Sequence, residues 1–306
     1  MIRSLTMAIA ALAIAVTGCA AANTTTTIPQ GSDGFPVTID APNGPITIDK
    51  QPGKIVSLSP TATEILFAIG AGGQVTAVDD QSNYPEEAPR TDLTGLEPNI
   101  EAIAAMDADL VVMMFDPGNE TVAALDAIGI PSIVHGAAVD LDDAYAQIRQ
   151  LGKATGNAVE AATLIATMSG DIERIVSATD AGQATYYHEL GPDLYSATSA
   201  TFVGALYSML GLVNIADPAD ADGFGYPQLS AEFIVAENPD LIFLADTKCC
   251  AQDPGTVGER PGWHTLDAVQ RGFVIELDDD VASRWGPRVV EFIAAVAGAV
   301  GALVGA

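Results

Sequence analysis

A short pattern occurs twice in this chain, and it commits the sequence to a duplicated α/β fold. The first copy runs Pro98-Asn99-Ile100-Glu101-Ala102-Ile103 and then Asp109-Leu110-Val111-Val112-Met113. The second runs Leu229-Ser230-Ala231-Glu232-Phe233-Ile234 and then Asp240-Leu241-Ile242-Phe243-Leu244. Each copy offers a helix N-cap (Asn99, Ser230), a glutamate two residues on, one short helix, and an apolar run behind an aspartate. Asn and Ser suit the cap because their side chains accept a hydrogen bond from a free amide of the first turn. An unbroken Val/Ile/Leu/Phe run without polar alternation reads as a strand of a parallel sheet covered on both faces. Two similar lobes, each presenting one acidic residue at the same place, make a clamshell with a matched pair of exposed contacts.

The segments around each copy extend the repeat. Lobe one opens with the strand at Lys54 to Leu58, and Ser59-Pro60 then starts a helix over Thr61 to Ile69 that Gly70 stops. A cap followed by Pro at the first helical position is a good start signal. Val75 to Val78 is the next strand, followed by a loop through Tyr84-Pro85 and Arg90. The Asn99 helix, the Leu110 strand, a helix at Glu120 to Ile128 and a strand at Ile130 to Val134 complete this lobe. Such alternation argues for a parallel sheet. From Asp140 to Ala178, Val159, Ala162, Ile165, Met168, Ile172, Ile175 and Val176 recur at helical steps with no strand between them, as a connector would. Lobe two restarts at Thr185 to His188 and continues with a helix at Ser199 to Leu210. The Ser230 helix, the Leu241 strand, a helix at Leu266 to Val269 and the strand Phe273 to Leu277 follow. Leu125-Asp126-Ala127-Ile128 echoes the 266–269 segment.

The expected organisation is an export signal over 1–18, a tether over 19–36, an α/β lobe over 37–138, a connecting helix over 139–180 and a second α/β lobe over 181–306. Arg3 and the apolar stretch Leu5 to Val16, too short to span a bilayer, mark the signal. Val16-Thr17-Gly18-Cys19 looks like a bacterial lipobox, which implies cleavage before Cys19 and lipid on its sulfur. The apolar C-terminus from Phe292 to Ala306 is read as a closing helix on the second lobe. With 40 acidic against 12 basic residues the formal charge is −28. Such a surface repels phosphate backbones and sets nucleic acid aside; it is equally what solubility or a saline habitat demands.

Taken together these segments resemble the substrate-binding proteins of iron-siderophore, haem and cobalamin ABC importers. The resemblance is carried by Ile55-Val56-Ser57-Leu58-Ser59-Pro60-Thr61-Ala62-Thr63-Glu64, Pro98-Asn99-Ile100-Glu101, Tyr226-Pro227-Gln228-Leu229-Ser230, Asn238-Pro239-Asp240-Leu241, Arg260-Pro261-Gly262-Trp263 and Arg284-Trp285-Gly286-Pro287-Arg288, in the expected order. It implies two Rossmann-like lobes with mainly parallel sheets, joined by a single long rigid helix as in class III substrate-binding proteins, with ligand held in the cleft between them. It also implies a monomer without a resident cofactor, anchored by lipid on the outer face of the cytoplasmic membrane and delivering its ligand to a permease and its ATPase. Glu101 and Glu232 match the glutamates that dock on permease arginines in this family. The bland alternative is a first-turn glutamate that only answers the helix dipole, worth up to ~1 kcal/mol.

By motif position the ligand candidates are Ser59, Tyr84 and Arg90 from lobe one and His188, Tyr226, Trp263, Arg284 and Trp285 from lobe two. Only eight arginines are present, so one in the cleft would pair with a carboxylate or phosphate of the ligand. Tyr226 falls where cobalamin binders of the family place a covering aromatic. The matching lobe-one position is Gly95, a departure that weighs against cobalamin. The order of expectation is therefore ferric siderophore, then cobalamin, then haem, for which one Tyr or His can serve as axial ligand; His135 and His188 are the histidine candidates and equally candidate structural histidines. A zinc or manganese carrier is the first alternative, but the three histidines form no close ligand cluster with Asp or Glu. A cleft enzyme is the second, although no Gly-x-Ser-x-Gly elbow, P-loop or dinucleotide fingerprint occurs. Cys249-Cys250 follows the Leu241 strand; outside the cytoplasm the pair is expected to form a vicinal disulfide shaping the cleft wall, the alternative being two buried thiols.

Overall fold

The computed structural model describes residues 34–305, so the export signal, Cys19 and most of the tether lie outside the described residues. The described chain opens with an antiparallel hairpin, β1 (Val37–Ala41) and β2 (Gly44–Ile48), that the sequence reading passes over. Its signal was present in the alternation Val37-Thr38-Ile39-Asp40 and the turn at Pro42-Asn43. The turn has a purpose in the fold. Asn43 donates to the Ser132 carbonyl (3.0 Å) and accepts from the Val134 amide (3.0 Å). It thereby pairs the open edge of a strand that would otherwise present free backbone groups.

Lobe one is β3 (Ile55–Leu58), α1 (Pro60–Ala68), β4 (Val75–Val78), α2 (Ile100–Ala105), β5 (Leu110–Met113), α3 (Glu120–Ala127) and β6 (Ser132–Val134). Two helices follow, α4 (Leu141–Thr155) and α5 (Ala158–Ser177). Lobe two is β7 (Thr185–Glu189), α6 (Phe202–Met209), β8 (Val213–Asn214), α7 (Ala231–Glu237), β9 (Leu241–Leu244), the short turns α8 (Thr247–Cys250) and α9 (Pro254–Gly258), α10 (Asp267–Arg271) and β10 (Val274–Glu276). It is closed by α11 (Asp279–Ser283) and α12 (Val289–Val304).

The two sheets run β4-β3-β5-β6 and β10-β9-β7-β8, every pair parallel. Counted within each lobe, both orders read second, first, third, fourth. The duplication seen in one motif is therefore a duplication of topology. Burial explains the unbroken apolar runs: in β5, Leu110 and Val112 enter one apolar core while Val111 and Met113 enter another on the opposite face. The first of these cores continues through α4 and α5 into lobe two.

Local signals set the boundaries. Ser59 Oγ accepts from Ala62 N (3.3 Å), Asn99 Oδ1 from Ala102 N (3.0 Å) and Ser230 Oγ from Phe233 N (3.1 Å). The aspartates before the third strands do the same work in both lobes. Asp109 accepts from the amides of Gly53 (2.9 Å) and Lys54 (3.1 Å), and Asp240 from the amide (2.8 Å) and hydroxyl (2.9 Å) of Thr185. Each pins the amino end of its lobe's first strand to that of its third.

Two expectations are adjusted. The helical segment over 139–180 is two helices rather than one, because Gly156 adopts φ +79° and ends α4. A Cβ on Gly152 would collide with the Ala161 methyl, so glycine there lets α4 and α5 pack closely. The 20-residue α5 is the long connecting helix, about 30 Å at 1.5 Å per residue. The helix expected from Ser199 begins at Phe202 under a Thr201 cap, because Asp217 holds the Ser199 amide and hydroxyl at 2.8 Å each. The two-residue strand β8 is too short to show a period. The C-terminal apolar stretch forms α12, whose Phe292 packs edge-on against Tyr207 of α6. No helix among the described residues is long and apolar enough to cross a membrane.

Candidate functional site

In parallel α/β sheets ligands bind beyond the carboxyl ends of the strands, and here the loops leaving those ends meet across the lobes. Glu64 of α1 is the centre of the junction. Arg288 grips it through Nε to Oε2 (3.0 Å) and Nη2 to Oε1 (2.5 Å), while Arg284 Nη1 reaches Oε1 at 2.9 Å. The Glu64 side chain is 1% exposed. Arg284 also donates to Asn83 Oδ1 (2.9 Å), the Gln81 carbonyl (3.0 Å) and Asp280 Oδ1 (2.7 Å). Asn83 returns a bond to Asp280 Oδ2 (2.9 Å), which Lys248 also holds at 2.7 Å. The Tyr84 ring covers the Arg288 guanidinium at 4.3 Å. A buried, mutually satisfied ion cluster thus ties the loop after β4 to the loop after β10.

Beside this clasp the ends of β3, β4 and β5 surround a recess of about 330 Å³. Leu58, Asp79, Asp80 and Gln81 form its floor, and Leu96, Met114 and Phe115 its apolar rim. Leu96 is 71% and Phe115 47% exposed. Burial raises the Asp79 carboxyl above the usual carboxylate range, and the nearby Asp80 charge adds to this, while Ser82 and Arg284 pull the other way. On lobe two Tyr195, Phe224 and Tyr226 are exposed in the loops between β7 and α7. Each lobe thus carries large apolar side chains open to solvent, as proteins keep where something binds.

The structure sorts the residues singled out from sequence into two groups. Tyr226 stands free at 53% exposure. Tyr84 is exposed but laid over Arg288. Arg90 is exposed on the loop after β4 and donates to the Asp80 carbonyl at 2.9 Å. The others are corrected from ligand contacts to supporting positions. Ser59 is buried as the α1 cap. Arg284 belongs to the interlobe clasp, its two terminal nitrogens bonded to four protein acceptors. Trp285 fills the junction of α4, Met114 and Phe202, its indole N–H donating to Gln147 Oε1 at 2.8 Å. Trp263 is fully buried under Tyr187 and Arg260. His188 is fully buried with Nδ1 2.9 Å from the Tyr207 hydroxyl, and burial lowers its pKa to about 4. His135 is likewise buried, bonded to Gln150 at 2.8 Å and lowered by burial to about 4. Both imidazoles are neutral and lie inside the lobes.

Sequence reasoning missed Glu64, Asp79, Phe115 and a buried acidic pair in lobe two. Glu64 gave one signal, a lone acid in an otherwise apolar helix. The acidic pair is Glu189, at the end of β7, and Asp246, just past β9; both are fully buried. Arg260 holds Glu189 bidentately at 2.6 Å to each oxygen and donates to Gln252 at 2.6 Å. Neither Asp246 oxygen has a donor. Burial first, then the facing Glu189 charge, push Asp246 up to about 7. A carboxyl whose native pKa lies above its unfolded value binds its proton more tightly when folded, so stability falls as pH rises between the two values. We expect the melting temperature to carry a declining component from about pH 4 to about pH 7 that the Asp246→Asn variant lacks. Melts of both proteins across that range check it, and equal slopes would refute the raised pKa of Asp246. Asp109, Asp278 and Asp280 are lowered by their lysine and backbone donors, despite opposing burial, and act with the opposite sign at the acid end.

Cys249 and Cys250 are joined as a vicinal disulfide, with their Cα atoms 3.8 Å apart. The turn that carries them is held at its start by Asp279, which accepts from the amides of Thr247, Lys248 and Cys249 at 2.8 to 2.9 Å. Glu101 and Glu232 are both exposed in the first turns of α2 and α7, the helices that occupy equivalent places in the two lobes.

Residues 55–281 match the family model described as periplasmic binding protein. The chain is 31% identical to the ABC transporter substrate-binding lipoprotein YvrC of Bacillus subtilis, covering 86% of this chain and 84% of that protein. It is 32% identical to a cobalamin-binding protein of Halobacterium salinarum, covering 97% of this chain and 84% of that one. Among solved structures it resembles the periplasmic heme-binding protein RhuT of Roseiflexus sp. RS-1, with a TM-score of 0.71, 24% identity, and coverage of 82% and 99% of the two chains.

Proposed function

Since the chain belongs to the periplasmic binding protein family, we propose that it is the solute-capturing component of an ABC importer and that its solute is cobalamin. The observation that carries the choice of solute is kinship over 97% of the chain with a protein named for cobalamin binding. The geometry supports it. Leu96 and Phe115 on one wall and Tyr226 on the other offer apolar surface to a large flat chelate, and they compensate for the aromatic missing at Gly95. Cobalamin thereby moves ahead of ferric siderophore. Haem stays third: His135 and His188 are buried, which leaves an exposed tyrosine such as Tyr226 as its axial ligand.

Glu101 and Glu232 are assigned to permease docking, one on each lobe, so that both halves are read together. Cys19 is assigned the lipid that keeps the protein beside its permease on the outer face of the membrane. No catalysis is assigned. The alternative of a bare-ion carrier gains nothing from the geometry, since among the described residues no group of three or more His, Cys, Asp or Glu side chains is placed to hold a metal ion.

Native mass spectrometry of the mature protein against cyanocobalamin, a ferric hydroxamate and haemin tests the reading. A one-to-one cobalamin complex is expected. Retention of haemin or the ferric hydroxamate in its place would assign the cleft to that chelate instead.

A further inference from the structure

The geometry points to Asp79 as a specificity-determining residue: its carboxylate accepts an N–H from a ligand that carries primary amides at its rim and turns away ligands that present carboxylates there. This rests on the cobalamin reading and deepens it. Asp79 directly follows β4, is 2% exposed and forms part of the recess floor. Its Oδ1 is enclosed and has no hydrogen-bond partner in the protein. An enclosed carboxylate oxygen without a donor costs the fold free energy, and such exceptions call for a partner from outside.

Among the described residues none bonds to Oδ1; Ser82, three residues on, is the donor nearest the carboxylate, and its hydroxyl is also bonded to Thr63 Oγ1 at 2.9 Å. The Arg284 guanidinium is shared among Glu64, Asp280, Asn83 and the Gln81 carbonyl. The recess lining holds a second carboxylate, Asp80, and no basic side chain.

Gly95 keeps the approach open. A Cβ at that position would stand 2.8 Å from the Leu58 carbonyl oxygen and 3.0 Å from Asp79 Oδ2. Any other residue would crowd the carboxylate or push it from the recess. Gly95 borders Oδ2 and the unanswered oxygen is Oδ1, so it is the carboxylate as a whole, lining the recess beside a glycine, that offers the acceptor. A corrin rim bears primary amides, which are donors; a haem edge bears propionates, which a carboxylate repels.

The test compares wild type, Asp79→Asn and Asp79→Leu by equilibrium dialysis with cyanocobalamin and with its monocarboxylic acids, in which one rim amide has been hydrolysed. Wild type is expected to prefer the amide by roughly tenfold or more over at least one acid isomer, the size of a charge-assisted hydrogen bond. Asp79→Asn, able to donate as well as accept, should bring the two within a few-fold. Asp79→Leu should weaken cyanocobalamin binding about 10- to 100-fold and raise the ligand-free melting temperature, because an unanswered buried carboxylate is removed. An unchanged amide-to-acid ratio in Asp79→Asn overturns the assignment while leaving cobalamin binding intact. A lower melting temperature in Asp79→Leu also overturns it, since the carboxylate would then have a structural partner. Failure of wild type to bind any corrinoid sinks the cobalamin reading and this inference with it.

Discussion

Reversing both Glu101 and Glu232 to lysine is expected to abolish uptake while the purified protein keeps its ligand affinity. The two carboxylates sit in the exposed first turns of α2 and α7. Those helices precede the third strand of each lobe, so the charges stand at corresponding points of two copies of one topology. Among the described residues neither glutamate takes part in an ion pair. Both side chains are thus free to meet a basic partner surface. Rim charges of this kind guide encounter and set register more than they add affinity. Each single reversal should slow uptake, and the pair should stop it, because a partner that reads two lobes loses both contacts. The measurement is accumulation of labelled ligand in cells carrying the variant as their sole binding protein, beside its dissociation constant in vitro. Normal uptake by the double variant would remove the docking role from these residues.

The second large effect belongs to Glu64. Replacing it with alanine leaves Arg284 and Arg288 facing each other across a buried junction with their shared acceptor gone. Breaking a buried ion pair by deleting one partner typically costs about 3–5 kcal/mol, because an uncompensated charge remains. For a chain of this size that corresponds to a fall in melting temperature of roughly 10 °C. Arg284 retains Asp280, Asn83 and the Gln81 carbonyl, so Arg288 should suffer most. The loss should therefore shrink in the Glu64→Ala, Arg288→Met double variant, in which that charge is also gone. Hydrogen exchange should rise in the loops around Gln81–Tyr84 and Asp278–Arg288 and stay unchanged at the far ends of the sheets. A Glu64→Ala protein that melts within a degree or two of wild type would show that the clasp does not hold the lobes.

The candidate site was legible only in outline. Tyr226 is expected on the cleft from its motif, and the structure leaves its side chain exposed. Trp263, His188 and Trp285 came from the same kind of argument and proved to be packed inside. A motif reports that a residue has a fixed environment, and a buried core position fixes a side chain as firmly as a ligand does. Arg284 illustrates the same limit for charge. A scarce arginine in a cleft motif suggests an anionic ligand, yet its acceptor is Glu64, 220 positions away. Nothing local in the sequence marks that pairing.

What the sequence alone determined was everything that depends on near neighbours along the chain. Caps at Ser59, Asn99 and Ser230, the stop at Gly70, apolar runs in the strands and the doubled order of elements all follow from interactions spanning a few residues. The tertiary structure decided which polar groups satisfy one another and which remain open: the Glu64 clasp, the Arg260 grip on Glu189 beside the unanswered Asp246, and the unanswered oxygen of Asp79. The reason is physical. Helix and strand signals recur at a fixed spacing, whereas the partner of a buried charge is set by which distant segments the sheets bring together.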